Sequence, residues 1–215
     1  MLQVYLVRHG ETQWNAERRI QGQSDSPLTD KGVQQAWQVA ERARTLGITH
    51  VISSDLGRTQ QTARIIADAC GCDVILEPRL RELDMGVLEK RQIDSLTEEE
   101  EGWRRQLVNG TQDGRIPGGE SMQELSDRVH AALASCLELP QGSRPLLVSH
   151  GIALGCLVST ILGLPAWAER RLRLRNCSIS RIDYQESQWL ASGWVVETAG
   201  DVSHLDAPAL DELQR

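Results

Sequence analysis

Two short stretches decide the fold, LQVYLVRHG at positions 2–10 and PLLVSHG at positions 145–151. Each starts as an apolar run of strand length and ends in a histidine followed by a glycine. The carboxyl ends of parallel strands lie at the same edge of a sheet, and ligands of α/β folds bind outside that edge. We therefore predict that His9 and His150, although far apart in the chain, come together at one edge of a parallel sheet.

Strand-like runs and helical segments alternate along the rest of the chain. Apolar runs predict further strands at 50–53, 73–76, 178–184 and 189–197, and helical spacing predicts helices after Thr29, over 57–70, after Ser121 and over 152–162. Thr29 is suited to cap its helix, and Ser121 with Glu124 fits a capping box. Between about 85 and 119 the pattern weakens, and the acidic run 98–101 predicts only a solvated helix face.

This alternation predicts an α/β fold, a three-layer α/β/α sandwich in which helices cover both faces of a mostly parallel sheet. A chain of 215 residues without a linker or a repeat predicts a single domain over 1–215. We expect no membrane partner, because no apolar stretch approaches the roughly 20 residues that cross a bilayer and the first residues do not resemble a signal peptide. Five scattered cysteines predict free thiols and a cytoplasmic protein.

The charges of the chain argue against one class of partner and hint at another. A net charge of −7 argues against nucleic-acid and anionic-membrane binding, which use basic stripes. Only Lys31 and Lys90 among the 23 basic residues are lysines, and the arginine guanidinium offers a planar fork of donors suited to phosphate or carboxylate. A codon-usage bias would produce the same excess, so composition alone leaves both explanations open.

Arginine accompanies the predicted histidine pair. Arg8 directly precedes His9, and Arg58 lies near the start of the helix predicted over 57–70, where the helix amino terminus also favours anions. Imidazoles among guanidinium groups indicate phosphoryl transfer, with two ordinary strand-end turns as the alternative.

Other chemistries lack their motifs. Ser149 precedes His150, but a G-x-S-x-G elbow is absent, which argues against a serine hydrolase. Neither an H-E-x-x-H motif nor an Asp-rich cluster completes a zinc site, so we predict no metal. The sequence also contains neither a P-loop nor a G-x-G-x-x-G motif, which leaves nucleotide-dependent transfer without support.

A series of short motifs extends this pattern over the whole chain: LVRHGET at 6–12, QG at 21–22, PLT at 27–29, SDLGR at 54–58, QTA at 61–63, EL at 82–83, GGES at 118–121 and VSHG at 148–151. Their order and combination resemble the histidine phosphatase superfamily, which includes the cofactor-dependent phosphoglycerate mutases. Within that superfamily the chain is most similar to the short bacterial phosphoglycerate mutase type. The resemblance implies a phosphoglycerate mutase-like fold.

The resemblance also implies a role for each matching residue. His9 would be the nucleophile that becomes a phosphohistidine, and Glu82 would move the proton. The phosphoryl oxygens would be held by Arg8, Arg58 and His150. The pocket would be lined by Asn15, Gln21, Gly22, the Gly151 backbone and Gln60, which stands where close relatives carry a second arginine. An anionic group of the substrate would be met by Arg104 and Arg105, for which a solvated helix face is the alternative.

The acceptor of the phosphoryl group separates two activities. By this resemblance, the mutases of the superfamily are longer chains, which shield the intermediate from water. They also carry an Arg-His pair where this chain reads Leu83-Asp84. We therefore predict a phosphatase that hydrolyses small phosphorylated metabolites and requires no cofactor. One alternative is a 2,3-bisphosphoglycerate-dependent mutase that interconverts 2- and 3-phosphoglycerate in glycolysis. Another is a catalytically silent module that binds phosphometabolites. A homodimer is the assembly that we keep open.

Overall fold

A single mixed sheet organises the part of the chain that the computed structural model describes, residues 1–186 and 193–206. Its six strands are β1 (Leu2–Arg8), β2 (His50–Ser53), β3 (Val74–Leu76), β4 (Pro145–Ser149), β5 (Ile179–Gln185) and β6 (Gly193–Asp201), in the order β3-β2-β4-β1-β5-β6. The first four strands in that order run parallel, whereas β5 and β6 are antiparallel additions beside β1. The mostly parallel sheet is thus confirmed. Residues 189–192 of the last predicted strand lie outside the described residues.

Six α-helices connect the strands within the described ranges: α1 (Gln13–Ala16), α2 (Asp30–Leu46), α3 (Gly57–Cys70), α4 (Glu98–Asn109), α5 (Met122–Ser135) and α6 (Gly151–Ile161). Thr29 caps α2 through the Gly32 amide, and Ser121 with Glu124 forms the predicted capping box at α5. None of the helices in these ranges is long and apolar enough to cross a membrane.

The helix α4 extends the sequence prediction of a solvated helix face at 98–101, where Glu98 and Glu99 are exposed. The structure has a complete helix of 12 residues there. Thr97 and Glu100 form a capping box at its start, the same signal that identified α5. Its apolar periodicity was too weak to detect because Leu107 is its one buried residue.

Side chains of successive strand residues pack on opposite faces of the sheet, as strand geometry requires. Val4 and Leu6 of β1 join an apolar core together with residues of α5 and α6. Tyr5 and Val7 of the same strand join a second core together with residues of α2 and α3. Both faces of the sheet are therefore covered by helices, which confirms the predicted three-layer arrangement.

The two histidine-bearing strands are neighbours in the sheet. β1 and β4 pair in parallel with Arg8 opposite Ser149, and the His9 amide continues the ladder by donating to the Ser149 carbonyl at 3.0 Å. His150 follows β4 directly and is the N-cap residue of α6. The fold thus brings both strand ends and the amino terminus of a helix to one edge of the sheet.

Candidate active site

His9 and His150 are in contact at this sheet edge, as the sequence predicted. Their ring centroids are 5.3 Å apart, and the ring planes meet at 61°. Both residues are buried, and the Nε2 atom of His150 lies 2.9 Å from the Ser54 hydroxyl at the end of β2. Three adjacent parallel strands therefore contribute polar side chains to one point.

The hydrogen bond of the His9 ring determines which of its nitrogens can act as a nucleophile. The Nδ1 atom lies 2.8 Å from the Gly10 carbonyl oxygen. Because a carbonyl oxygen only accepts hydrogen bonds, Nδ1 carries the hydrogen, and the lone pair of the neutral ring is on Nε2. The side-chain Nδ2 atom of Asn176 donates to the His9 carbonyl at 3.0 Å and helps to fix the end of the strand. The neutral ring is thus oriented to attack through Nε2.

Burial keeps both imidazoles uncharged. Desolvation, followed by the positive charges of Arg58 and Arg8, holds the pKa of His9 well below its usual value of 6.5. Desolvation and Arg58 lower the pKa of His150 in the same direction. Both rings are therefore neutral at physiological pH, which is the form in which an imidazole is nucleophilic.

Arg58 is the more rigidly held of the two arginines that the sequence placed here. It lies in the first turn of α3, and its side chain is 1% exposed. Its guanidinium donates to the carbonyls of Gly22 at 2.7 Å and Ser24 at 2.8 Å and to the Asp25 carboxylate at 3.0 Å. The Nε atom is buried and has no hydrogen-bond partner in the described residues. It is therefore a donor that a buried anion would satisfy.

The loop that receives Arg58 depends on a glycine in a left-handed conformation. Gly22 has a φ of 55°, and a Cβ atom there would lie 2.2 Å from a carboxylate oxygen of Glu89. That carboxylate accepts hydrogen bonds from the amides of Gln23 at 2.7 Å and Ser24 at 2.9 Å. Gly22 therefore permits the tight loop whose carbonyls hold Arg58.

Arg8 lies against the amino end of α6. Its Nη1 atom donates to the Leu174 carbonyl at 2.9 Å. A Cβ atom at Gly151, the first residue of α6, would lie 3.2 Å from the Nε atom of Arg8. The glycine thus allows the guanidinium to approach the helix terminus, where backbone amides favour anions.

Glu82 is bound at the same helix terminus. Its Oε1 atom accepts from the amides of Leu83 and Ala153, each at 2.9 Å, and its Oε2 atom accepts from the Ile152 amide at 3.0 Å. Among the described residues two amides donate to Oε1 and one to Oε2, so Oε2 keeps the greater capacity to meet a further group.

These groups surround a cavity of about 150 Å³, and its lining divides into two kinds of wall. The polar wall comprises Arg8, His9, Asn15, Gln21, Gly22, Arg58, Glu82 and Gly151. The apolar wall includes Ile20, Met85, Ile93, Leu107, Val108 and Met122. Three further arginines, Arg19, Arg104 and Arg170, also line the cavity.

Three residues expected at the pocket have other surroundings. His150 is not among the residues that line the cavity, and its fully buried ring packs edge-on against the ring of His9. The Gln60 side chain donates to the Asp55 carbonyl at 2.7 Å and accepts from Arg64 at 2.9 Å, so it faces away. Arg105 is exposed and pairs with Glu101, which agrees with the alternative of a solvated helix face.

The apolar wall, Arg19 and Arg170 are features of the cavity that the sequence did not reveal. Arg170 belongs to a run of arginines between 170 and 175, which sets it apart in the sequence without assigning it a role. The apolar residues come from distant segments, from Ile20 to Met122, and each looks like an ordinary core residue on its own. No periodicity within one segment could have identified this wall.

Two buried histidines, two buried arginines and a carboxylate at the end of parallel strands are groups suited to an enzyme that transfers phosphoryl groups. A family model shows the class: the chain belongs to the histidine phosphatase superfamily (branch 1), whose model matches residues 4–197.

Individual relatives match the chain over all or nearly all of its length. "Probable phosphoglycerate mutase GpmB" of Salmonella paratyphi B is 93% identical over 215 residues, which is 100% of both chains. Among solved structures, Bacillus stearothermophilus YhfR has a TM-score of 0.86 and 28% identity, over 95% of this chain and 99% of that chain. The alpha-ribazole phosphatase from Shigella flexneri has a TM-score of 0.80 and 28% identity, over 93% and 96% of the two chains.

Proposed function

We propose that this enzyme hydrolyses small phosphorylated metabolites through a phosphohistidine formed on His9, without a metal or another cofactor. The observation that carries the proposal is the geometry of His9, a buried neutral imidazole whose Nδ1 is bound by the Gly10 carbonyl and whose Nε2 is available for attack. Arg8, Arg58 and Glu82 line the same cavity, so groups for charge stabilisation and proton transfer accompany the nucleophile.

In the first step, the Nε2 lone pair of His9 forms the N–P bond as the ester P–O bond breaks. The equatorial phosphoryl oxygens are met by the guanidinium groups of Arg8 and Arg58, which are already fixed before the substrate arrives. The protonated Glu82 gives its proton to the leaving oxygen, so the product departs as an alcohol. We assign the buried Nδ1 of His150, which has no hydrogen-bond partner in the described residues, to the phosphoryl group once that group is attached to the neighbouring ring of His9.

In the second step, water replaces the alcohol. The Glu82 carboxylate accepts a proton from the water molecule as the water oxygen attacks phosphorus. The N–P bond breaks, which returns the neutral ring of His9. Inorganic phosphate leaves, and Glu82 is again protonated for the next cycle. The Ile152 amide holds Glu82 in reach of both the leaving and the attacking oxygen, which occupy the same position in the two steps.

The charges in the cavity favour a phosphatase over a mutase. A phosphoglycerate carries a carboxylate besides its phosphate, and a second cationic group would have to bind it. Arg104, the cationic residue proposed from the sequence, is already engaged by both carboxylate oxygens of Glu101 at 2.6 and 2.7 Å. Arg19 similarly donates to Glu17 at 3.2 Å and to the Lys90 carbonyl at 2.7 Å. At these two of the three further arginines that line the cavity, a second anion would therefore compete with existing ion pairs.

The nucleophile is tested by the substitution His9→Ala with p-nitrophenyl phosphate as substrate. We expect turnover to fall by roughly 10⁴-fold or more, because the chemical step loses its nucleophile. His50→Ala is the matched control, since His50 starts β2 and lies at the opposite end of the parallel strands. Wild-type turnover by the His9→Ala protein would refute the phosphohistidine mechanism.

The acid is tested by Glu82→Gln. We expect kcat/KM to fall by about 10²- to 10⁴-fold on alkyl phosphates, whose leaving groups need a proton, and far less on p-nitrophenyl phosphate. Since kcat/KM covers the steps up to formation of the phosphoenzyme, the comparison isolates the first step. Equal losses on both substrate types would contradict the role of Glu82 as the acid.

A 2,3-bisphosphoglycerate-dependent phosphoglycerate mutase is the second candidate, and the name of the 93% identical Salmonella relative favours it. The measurement that separates the two is the fate of 3-phosphoglycerate with and without 2,3-bisphosphoglycerate. We expect slow release of phosphate that the bisphosphate does not stimulate. Isomerisation that is stimulated by the bisphosphate and exceeds hydrolysis would establish the mutase instead.

A further inference from the structure

The segment that carries Glu82 is held by side chains rather than by regular secondary structure. It lies between two short 3₁₀ turns, Pro78–Leu80 and Gly86–Leu88. Backbone carbonyls at a buried site need hydrogen-bond partners, and here no helix or strand supplies them to residues 81–84. The partners of this segment therefore decide where the Glu82 side chain lies.

Arg128 supplies most of these partners. Its Nη1 atom donates to the carbonyls of Arg79 at 2.8 Å and Arg81 at 2.6 Å, and its Nη2 atom donates to the Glu82 carbonyl at 2.8 Å. The Ser149 hydroxyl binds the remaining carbonyl of this stretch, that of Leu80, at 2.7 Å. Four consecutive carbonyls are thus bound by side chains, three of them by one guanidinium, and the Glu82 carbonyl also accepts from the Gln23 side-chain amide at 3.3 Å.

Glu120 orients Arg128 and ties it to the next residue of the segment. Its Oε2 atom accepts from the Nε atom of Arg128 at 3.0 Å, and its Oε1 atom accepts from Nη2 of the same side chain. The Oε1 atom also accepts from the Asp84 amide at 2.9 Å. The pair is largely shielded from solvent, with side-chain exposures of 20% for Arg128 and 15% for Glu120. Such a two-point ion pair has a defined geometry.

We propose that Arg128, oriented by Glu120, is a positioning residue that sets the place of the Glu82 carboxyl in the catalytic cycle. The inference rests on the proposed role of Glu82 as acid and base. Neither Arg128 nor Glu120 lines the cavity, so they act through the backbone of Glu82 and not on the substrate. Because α5 packs against the sheet, the pair transfers the rigidity of that helix to a segment with no regular structure of its own.

The proposal is tested by Arg128→Lys, which keeps the positive charge beside Glu120 but cannot bind three carbonyls with one planar fork. We expect kcat/KM on alkyl phosphates to fall by about 10- to 100-fold, because a shift of about 1 Å in a catalytic group has this effect. On p-nitrophenyl phosphate, whose leaving group needs no proton, we expect less than about a threefold loss. Glu120→Gln should show the same pattern in weaker form.

Two comparisons distinguish positioning from a general structural role. Arg115→Lys is the matched control, because Arg115 also binds a nearby carbonyl and carboxylate, those of Gly119 and Glu124, but contacts none of residues 79–84. It should leave the ratio of the two kcat/KM values unchanged. In a Glu82→Gln background, Arg128→Lys should cost little further activity on alkyl phosphates, since both changes remove the same function.

The proposal is overturned if Arg128→Lys reduces kcat/KM equally for both substrate types, or if its full loss persists in the Glu82→Gln background. A change of the ratio in Arg115→Lys would also overturn it. The proposed function is tested by different variants. It is refuted if His9→Ala retains turnover or if the loss caused by Glu82→Gln alone does not depend on the leaving group. The two failures are therefore separable.

Discussion

At the residue scale, the site depends on Gly151, whose lack of a Cβ atom leaves room for the guanidinium of Arg8. A Cβ atom at Gly151 would lie 3.2 Å from Nε and 3.3 Å from Cζ of Arg8, and Arg8 is held at its far end by the Leu174 carbonyl. The guanidinium can therefore not move aside without losing a buried hydrogen bond. A single methyl group at this position is expected to act on function rather than on folding.

We accordingly predict that Gly151→Ala lowers kcat/KM by about tenfold, because it displaces a group that meets the phosphoryl oxygens. Gly155→Ala, on the same helix, is the matched control, since a Cβ atom there meets nothing within 4 Å. That control should keep its activity and gain about 0.5–1 kcal/mol of unfolding free energy from the better helix propensity of alanine. Steady-state kinetics and urea unfolding of both variants check the prediction, and equal activities would contradict it.

At the element scale, helix caps determine how firmly the supporting helices are fixed. The capping box of α5 joins Ser121 and Glu124, whose backbone and side-chain groups bind each other reciprocally. Arg115 adds a further contact to the Glu124 carboxylate at 2.8 Å and, with the backbone of Ser121, lowers the pKa of that carboxyl to about 2. The cap thus begins the helix that presents Arg128 to the Glu82 segment.

We predict that Ser121→Ala lowers the free energy of unfolding by about 1 kcal/mol, because the Glu124 amide loses its side-chain acceptor. Gln123→Ala serves as the control, since Gln123 is exposed in the same helical turn and binds only the Asp127 side chain. Its effect should stay within about 0.5 kcal/mol. Urea denaturation at neutral pH measures both values. A similar loss in the two variants would show that the cap is not the cause.

At the scale of the whole molecule, the buried histidines link activity to stability. The pKa values of His9 and His150 are held well below 6.5 in the folded protein, whereas in the unfolded chain they return towards the ordinary value. Below about pH 6.5 the unfolded chain therefore binds protons that the folded protein does not, and stability must decrease as pH falls through this range.

We predict that the free energy of unfolding falls by about 1 kcal/mol per pH unit for each of the two histidines between about pH 6.5 and 5. Most carboxyl groups titrate below this window, so the slope reports mainly histidines. His9→Asn should reduce the slope, because it removes one of the groups. Urea unfolding at about pH 7.5, 6 and 5 measures this free energy. A stability that is constant over this range, or a slope unchanged by His9→Asn, would contradict the prediction.

The cysteines show a further property of the whole molecule that the sequence predicted. All five are free thiols. Burial, the main cause, raises the pKa of the Cys136 and Cys156 thiols to about 11. These two thiols are therefore protonated and unreactive at neutral pH. The core is thus stabilised by packing on both faces of the sheet rather than by covalent links.

The sequence by itself determined the strands, the helices α2, α3, α5 and α6, and the meeting of the two strand ends, but not the helices α1 and α4. Apolar runs, helical spacing and the caps Thr29 and Ser121 are local signals, and the rule for parallel strands then places His9 beside His150. These signals suffice because apolar period and capping groups are properties of residues that are close in the chain, although the strands themselves pair over long distances in the sequence. The same reasoning located Arg58, since a helix terminus can be identified from its first turn.

Only the tertiary structure decided which side chains face the cavity. Gln60 and Arg105 have suitable chemistry but face other partners, whereas Ile20, Met122 and Arg170 meet across more than one element. Arg128 reaches the Glu82 segment from a helix that begins about 40 residues later in the chain. Such contacts depend on the packing of distant segments, and packing is determined by the shape of the whole core rather than by any local pattern.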